Sequence, residues 1–472
     1  MDTLKTITVR DYRCFAGSQT ARLAPLTLLV GDNSTGKTSL MAMLRAMLDI
    51  VNANRVPDFK KPPYDLGSFT EIVHRSGARR DPPDRFSAVL EVTSQTRATK
   101  AATVATHVDF ADYLSAPVPI RRRISQGKYW VEQRFNESDG THITYGSPRG
   151  AWADARDRHL PHFPGRYSNE IPTLDFPLWV LRRVLDAEQE EKSSIAERFR
   201  PLEGSPPISP EDVDQIRKNL AHARTKPRLG SAHAGIRGLF ASAPVRSQPK
   251  RTYDPALGTP DPEGDYVPMY LAQLALREPQ EWGALKSRIQ EFGSQAGLFN
   301  EIEVKRFGEV ESAPFQIRLR KAGKQRKGPM RNLVDWGYGV SQVLPLITEL
   351  LRQDAPQLML LQQPEVHLHP SAAAALGSLL SQTVGYSTRG RKTRQQIVLE
   401  THSDFIIDRV RMAVRDNSAG LRPEDVSILY FKRNEQAVQI HSISVDRLGN
   451  IDSAPAGYRK FFMEELRRSM SA

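Results

Sequence analysis

The stretch Gly31-Asp32-Asn33-Ser34-Thr35-Gly36-Lys37-Thr38 has the residue types and the spacing to hold a polyphosphate. Its two glycines let the backbone curl until successive N–H groups, those of Asn33, Ser34, Thr35 and Gly36 among them, converge on phosphate oxygens. Lys37 can reach the outer phosphates, the Thr38 hydroxyl can ligate magnesium, and Ser39 continues the polar start of a helix. An apolar strand, "LTLLV" (26–30), leads in, and an apolar-periodic helix, "SLMAMLRAMLDI", leads out. Strand, loop and helix in that order are the context such a loop needs.

Three further stretches carry groups able to act on a bound phosphate. In "LMLLQQPEVHLHP" (358–370) an apolar strand enters a polar turn, which is how P-loop ATPases deliver carboxylates to magnesium and to an attacking water. Here the first polar residues are Gln362 and Gln363, with Glu365 two positions on. An amide oxygen can ligate a cation or its waters, but it contributes no charge and accepts no proton. "ETHSDF" (400–405) ends a second apolar strand, and His402 falls where ligands of open α/β sheets bind, within reach of a γ-phosphate or a water. "DWGYGVSQVLPLITELL" (335–351) places Gly337, Gly339, Ser341 and Gln342 at a helix start, which is an anion-binding end. Read alone, those residues describe a glycine-rich helix cap. His367 and His369 read as hydrogen-bonded residues shaping the turn rather than as a metal pair.

The elements that position these groups form an α/β pattern. "KTITVRDYRCF" alternates as a strand, and the buried strands "LTLLV", "LMLL" and "QQIVLE" are short apolar runs of the parallel kind, each followed by a helix. "VSILYFKR" and "AVQIHSISV" form an alternating pair that extends the sheet, and "FNEIEVKRFG" with "FQIRLRKAGKQRKG" predicts a hairpin with a basic loop. Between about 96 and 245 the regularity is lost. "RRRISQGKYWVEQRF" (121–135) predicts an exposed basic strand, and helices are expected over 185–199 and 208–224. We therefore expect a head in two parts, 1–95 and 246–472, around a mainly helical insertion at 96–245.

With 39% hydrophobic and 25% charged residues the chain has an ordinary globular composition. No apolar run approaches the roughly 18 residues of a membrane span, and the start lacks the layout of a signal peptide. The single cysteine, Cys14, excludes an intramolecular disulfide and a cysteine-based zinc site, so a cytoplasmic protein without a membrane partner is expected. A net charge of +12 makes nucleic acid a candidate partner. The basic stretches are Arg121–Arg123 with Lys128, Tyr129 and Trp130, and the loop at 321–331.

Taken together, "ITVRDYRCF…LTLLVGDNSTGKTSL", "GYGVSQVLPL", "LLQQPEVHLHP" and "ETHSD" resemble the ABC-type ATPase heads of the RecF, SMC and OLD (overcoming lysogenization defect) kind. They look like the Walker A, signature, Walker B and switch-histidine segments, and "DLGSFTEIVH" (65–74) sits where the Q-loop falls. The resemblance covers about 1–95 and 245–472. With no TOPRIM nuclease segment recognisable after the final strands, the pattern is expected to be that of a stand-alone ATPase subunit, and it resembles those of anti-phage systems such as Septu and PARIS. The resemblance implies ATP and Mg²⁺ as cofactors, and a homodimer or higher oligomer around ATP. Gly339, Ser341 and Gln342 of one copy would then complete the phosphate site of the other, and a separate effector nuclease or toxin would be the partner.

It also implies roles for the amides. The family's first polar residue after the Walker B strand holds magnesium, and the next commonly orients the water. This assigns Gln362 with Thr38 to the metal, and Gln362, Gln363, Glu365 and His402 to catalysis. One branch carries Glu-Gln-Pro-Glu here, so Gln363 has precedent and Gln362 is the departure. Hydrolysis is expected to be slow or absent. Gln362 is either an introduced replacement of glutamate, or natural with Glu365 or another carboxylate as base, or the mark of a non-hydrolysing scaffold. The expected function is a sensor or scaffold ATPase of an anti-phage complex. The alternatives are a DNA-repair ATPase clamping DNA ends and a scaffold whose ATP is structural.

Overall fold

The computed structural model describes residues 2–75, 83–96, 99–136, 140–147, 150–154, 171, 199–201, 236, 238–255, 259–321, 328–385, 395–435, 437–452, 454–455 and 458. Its strands begin with β1 (Asp2–Tyr12), β2 (Phe15–Arg22), β3 (Leu26–Gly31), β4 (Arg85–Thr96), β5 (Thr99–Tyr113) and β6 (Ala116–Gln126). They continue with β7 (Tyr129–Asn136), β8 (Gly140–Ser147), β9 (Gly150–Asp154), β10 (Phe199–Pro201), β11 (Leu239–Ala241), β12 (Glu301–Arg306) and β13 (Phe315–Arg320). The last are β14 (Arg331–Asn332), β15 (Leu358–Gln362), β16 (Gln396–Glu400), β17 (Val426–Arg433), β18 (Val438–Val445) and β19 (Ile451–Asp452). The helices are α1 (Lys37–Ala53), α2 (Phe69–Ile72), α3 (Val267–Arg277), α4 (Pro279–Gln295), α5 (Tyr338–Leu351), α6 (Pro370–Val384) and α7 (Asp404–Asp416). None of the helices among the described residues is long and apolar enough to cross a membrane.

The chain divides into two compact units. The first comprises Met1–Arg22, Ser39–Ile236 and Arg433–Gln439. Its sheet has the order β10-β9-β8-β7-β6-β5-β4-β1-β2, antiparallel in its described pairings. An aromatic cluster anchors it: the Phe86 and Phe110 rings stack at 4.9 Å, and Phe59 meets both edge-on. Such pairs add roughly 0.5–1.5 kcal/mol each beyond the area they bury. The insertion expected as mainly helical is strand joined by turns where it is described over 99–154, because runs such as "VATHVDF" and "THITYG" alternate with period two. Apart from Phe199, which opens β10, the helices expected over 185–199 and 208–224 lie outside the described residues, as do 322–327 of the basic loop.

The expectation of an exposed basic strand at 121–135 is corrected. Arg122 is 2% exposed and donates to Gln133 Oε1 at 2.9 Å and Asn54 Oδ1 at 2.7 Å. Arg121 lies against Asp109 and Glu132 at 3.3 and 3.5 Å, and Arg123 stacks on Trp130 with its guanidinium 3.9 Å from the ring centroid. Alternation within β6 turns the middle arginine inward, and cross-strand acids neutralise its neighbours, which the composition of one strand cannot reveal.

The second unit comprises Leu23–Thr38, Arg237–Lys432 and Ile440–Ala472. Its main sheet has the order β11-β15-β16-β3-β17-β18-β19. From β11 to β17 it is parallel, and β18 with β19 is antiparallel, so the sheet is mixed. β15 and β16 are buried throughout, as expected of parallel strands covered on both faces. The predicted hairpin forms as β12 and β13, with Ile302 opposite Leu319. α7 starts at a Ser403 cap and stops at Asn417 in the left-handed region, while α6 starts with His369 as cap and Pro370 behind it. In consequence β15, β16 and β3 end side by side, with Gln362 opposite Glu400 and Glu400 opposite Leu29.

Candidate functional site

At that shared edge β3 passes into the phosphate-type loop and α1. Gly31 sits at φ 137°, and a Cβ there would lie 2.4 Å from the Phe431 carbonyl oxygen of β17. Only glycine tolerates both constraints. Asp32, Asn33 and Ser34 are exposed at the loop crest, with Ser34 left-handed at φ 58°. Thr35 is buried and donates its hydroxyl to Asp32 O at 2.7 Å, and Gly36 is left-handed at φ 85°. Lys37, 2% exposed, donates to Gly31 O at 3.0 Å and Asp32 O at 2.6 Å. Burial lowers its pKa, opposed by Glu400 and Asp32. Ser39 is buried in the next turn of α1.

Glu400 was missed as a site residue by sequence reasoning, which saw in it only the end of a strand. Its carboxylate is buried at 5% exposure, accepts from the Thr38 hydroxyl at 2.8 Å and lies 3.9 Å from Lys37 Nζ. The signal was available: an acid closing an otherwise apolar strand is costly to bury unless it has a charged or hydrogen-bonding partner.

Gln362 faces elsewhere. It is buried, its backbone N–H donates to Ser242 Oγ at 3.2 Å, and its side-chain Nε2 donates to Ser242 O at 3.2 Å, beyond the end of β11. The amide donor therefore ties β15 to the β11 side, opposite to β16 and the loop. Gln363 takes the left-handed turn at φ 38° and donates its N–H to Glu400 O at 2.9 Å. Glu365 lies across the switch segment: Oε1 accepts from the Thr401 hydroxyl and from the His402 N–H, both at 2.8 Å. Its Oε2 is buried without a hydrogen-bond partner. His402 is exposed, and burial of part of its ring with nearby Lys37 lowers its pKa, favouring the neutral imidazole.

Arg246 was not anticipated at all. It is 3% exposed, donates Nη2 to Gln362 O at 3.2 Å, and leaves Nε and Nη1 without partners. Burial lowers its pKa to about 10, with Glu365 opposing, so it stays cationic at neutral pH. Gln342, 1% exposed, clasps the Arg246 backbone, accepting from its N–H at 2.8 Å and donating to its carbonyl at 3.0 Å. Gln342 is thus spent on structure within its own chain. Gly339 is dictated by packing, since a Cβ would lie 2.4 Å from His367 O. Ser341 is buried and donates to Tyr338 O at 2.9 Å, while Tyr338 remains 41% exposed with its ring edge-on to His367. His369 accepts from Ser371 N as a helix cap, and among the described residues no three His, Cys, Asp or Glu side chains gather for a metal. His367 lies in the same turn, at φ 68°.

The donor set fits a nucleotide with a divalent cation: inward-curling backbone, a buried lysine, a threonine hydroxyl and one buried carboxylate at a single sheet edge. A family model described as "AAA domain, putative AbiEii toxin, Type IV TA system" matches residues 26–408. No curated protein matches the sequence. Among solved structures, an SMC head bound to the C-winged helix domain of ScpA is similar at 8% identity and TM-score 0.44, over 94% of this chain and 98% of that one. The Smc head with an extended coiled coil from Pyrococcus furiosus, bound to the C-terminal domain of ScpA, gives 10% and 0.44 over 99% and 100%. The SMC head domain from Thermotoga maritima gives 11% and 0.37 over 94% and 99%.

Proposed function

This chain belongs to the AAA-domain family whose model spans residues 26–408, and from that premise we propose that it is an ABC-type ATPase that binds ATP with magnesium and dimerises around it. We read it as the sensor or scaffold subunit of an anti-phage defence complex that restrains a separate effector nuclease or toxin. The observation that carries the reading is the convergence of Lys37, Thr38 and Glu400 at one edge of the parallel strands. Backbone N–H groups from Asn33 to Gly36 take the inner phosphates, and Lys37 exchanges its loop carbonyls for the outer ones. A bound divalent cation would neutralise charge on the phosphate oxygens and orient them. Ser341 at the start of α5 would reach the nucleotide of a second copy, with exposed Tyr338 beside it at the contact.

Turnover in this reading is slow. Gln363 accepts no proton, and we read Glu365, which accepts from Thr401 and the His402 N–H, as the carboxylate that orders a water while neutral His402 donates or accepts a hydrogen bond. The test measures binding of a fluorescent ATP analogue and the molar mass by light scattering. Lys37→Ala should abolish binding, whereas Ser341→Arg should keep binding and stay monomeric. Cells carrying the protein with its neighbouring genes should lose phage resistance with either variant. A Ser341→Arg protein that still dimerises on ATP would remove the sandwich from the account. The DNA-clamp reading keeps the +12 charge as its support, but its strongest segment is neutralised by Asp109 and Glu132. Salt-sensitive, DNA-stimulated turnover would favour it.

A further inference from the structure

We propose that Glu400, and not a residue of the turn after β15, supplies the protein carboxylate for the divalent cation of this site. The inference rests on the nucleotide reading above and deepens it. The hydroxyl that a phosphate loop uses to ligate magnesium is that of Thr38, and Glu400 Oε2 lies 2.8 Å from it. For a cation to enter, the Thr38 hydroxyl turns its proton away and offers a lone pair, and the carboxylate it faced becomes the neighbouring anionic ligand, directly or through water. Gln362, at the position the turn would use, is neutral and spends its Nε2 donor on Ser242 O on the β11 side. Neighbouring strands set this difference. Glu400 sits on β16, between β15 and the loop-bearing β3, so the acid has moved one strand nearer to the nucleotide.

Charge supports the assignment. Glu400 is buried beside buried Lys37, 3.9 Å away, and each is the other's counter-ion. When phosphates draw Lys37 outward, Glu400 loses that partner, and a divalent cation replaces it. Because no three ligating side chains gather among the described residues, phosphate oxygens and water must complete the shell. That is the habit of magnesium. Cation binding should therefore require nucleotide.

The probe is Mn²⁺, followed by electron paramagnetic resonance, with a non-hydrolysable ATP analogue and the full chain. Glu400→Gln keeps the volume and the acceptor for Thr38 but removes the charge. It should weaken nucleotide-dependent Mn²⁺ binding by about tenfold or more, in keeping with the roughly doubled strength of charge-assisted contacts. In EDTA, removing an anion that repels the phosphates should leave analogue binding no weaker than in the unsubstituted chain, and Gln362→Met, once a cooperative melt shows that it folds without the Ser242 contact, should still hold Mn²⁺. If Glu400→Gln fails to fold, Glu400→Asp decides: it keeps the charge but withdraws it by about 1.5 Å, one bond length, and must weaken Mn²⁺. Unchanged Mn²⁺ affinity in either Glu400 variant, or its loss in Gln362→Met, overturns the proposal. Failure of the unsubstituted chain to bind the analogue both with Mn²⁺ and in EDTA defeats the nucleotide reading itself, and this proposal with it.

Discussion

The substitution Gln362→Glu, which places an acid where the resemblance to ABC-type heads leads one to expect it, should impair this protein instead of activating it. In this chain the side-chain Nε2 donates to Ser242 O at 3.2 Å, and the residue is only 5% exposed. A glutamate has no donor to offer, so the Ser242 carbonyl loses its partner and faces a carboxylate. Losing a buried hydrogen bond and leaving its acceptor unsatisfied costs about 1–3 kcal/mol. Arg246, whose Nη2 already reaches the Gln362 carbonyl, offsets part of this if its guanidinium turns, but then gives up that contact. For a unit of roughly 150–250 residues each kcal/mol moves the thermal midpoint by about 2–4 °C, so a drop of about 2–12 °C is expected. The assay pairs differential scanning fluorimetry with phosphate release at saturating ATP and magnesium. Turnover should not rise. A tenfold gain in turnover at an unchanged midpoint would refute the reasoning, because it would mean that the Ser242 contact is incidental and that the amide at 362 stands in for a missing acid.

Glu365→Gln keeps one acceptor for Thr401 and His402 but cannot take a proton, and should lower the residual turnover by about 10²-fold or more with analogue affinity within about threefold. Equal turnover in single-cycle phosphate release would exclude Glu365 as the water-ordering group. Arg122→Ala strips the charged donor from Gln133 and Asn54 in a buried site and should destabilise the first unit by about 2–4 kcal/mol in urea titration, while duplex-DNA affinity stays the same because the side chain is not on the surface. The pH dependence has a definite sign at Glu349, which is fully buried, accepts from the Tyr266 hydroxyl and from Arg352, and has its pKa raised by burial above 4.5 in spite of those partners. A raised carboxyl favours the protonated folded form, so its contribution is complete below about pH 4.5 and is lost as pH rises through the folded value. Glu349→Gln should remove this dependence, and the gap between the two denaturation midpoints should shift in the variant's favour on raising the pH from 4.5. A parallel pair of curves would show that Glu349 does not titrate there.

The amino-acid order alone determined the phosphate loop, because its chemistry is local. Gly31 to Thr38 are contiguous, and an apolar run before and a periodic run after are enough to fix strand, turn and helix. It also determined the α/β class and the buried strands of the second unit, whose continuous apolar runs leave no alternative face. Only the tertiary structure decided which acid meets Thr38. Glu400 and Thr38 are 362 positions apart, and their contact exists because β16 pairs directly with β3 while β15 lies one strand further out. The same holds for Gln362, which reads as a damaged catalytic acid in sequence and becomes a donor to Ser242 once β11 is placed beside β15. Likewise the three arginines at 121–123 read as one basic face until strand pairing turned Arg122 inward and set Asp109 and Glu132 against its neighbours. Local periodicity names the elements, whereas strand order decides which side chains share a charge.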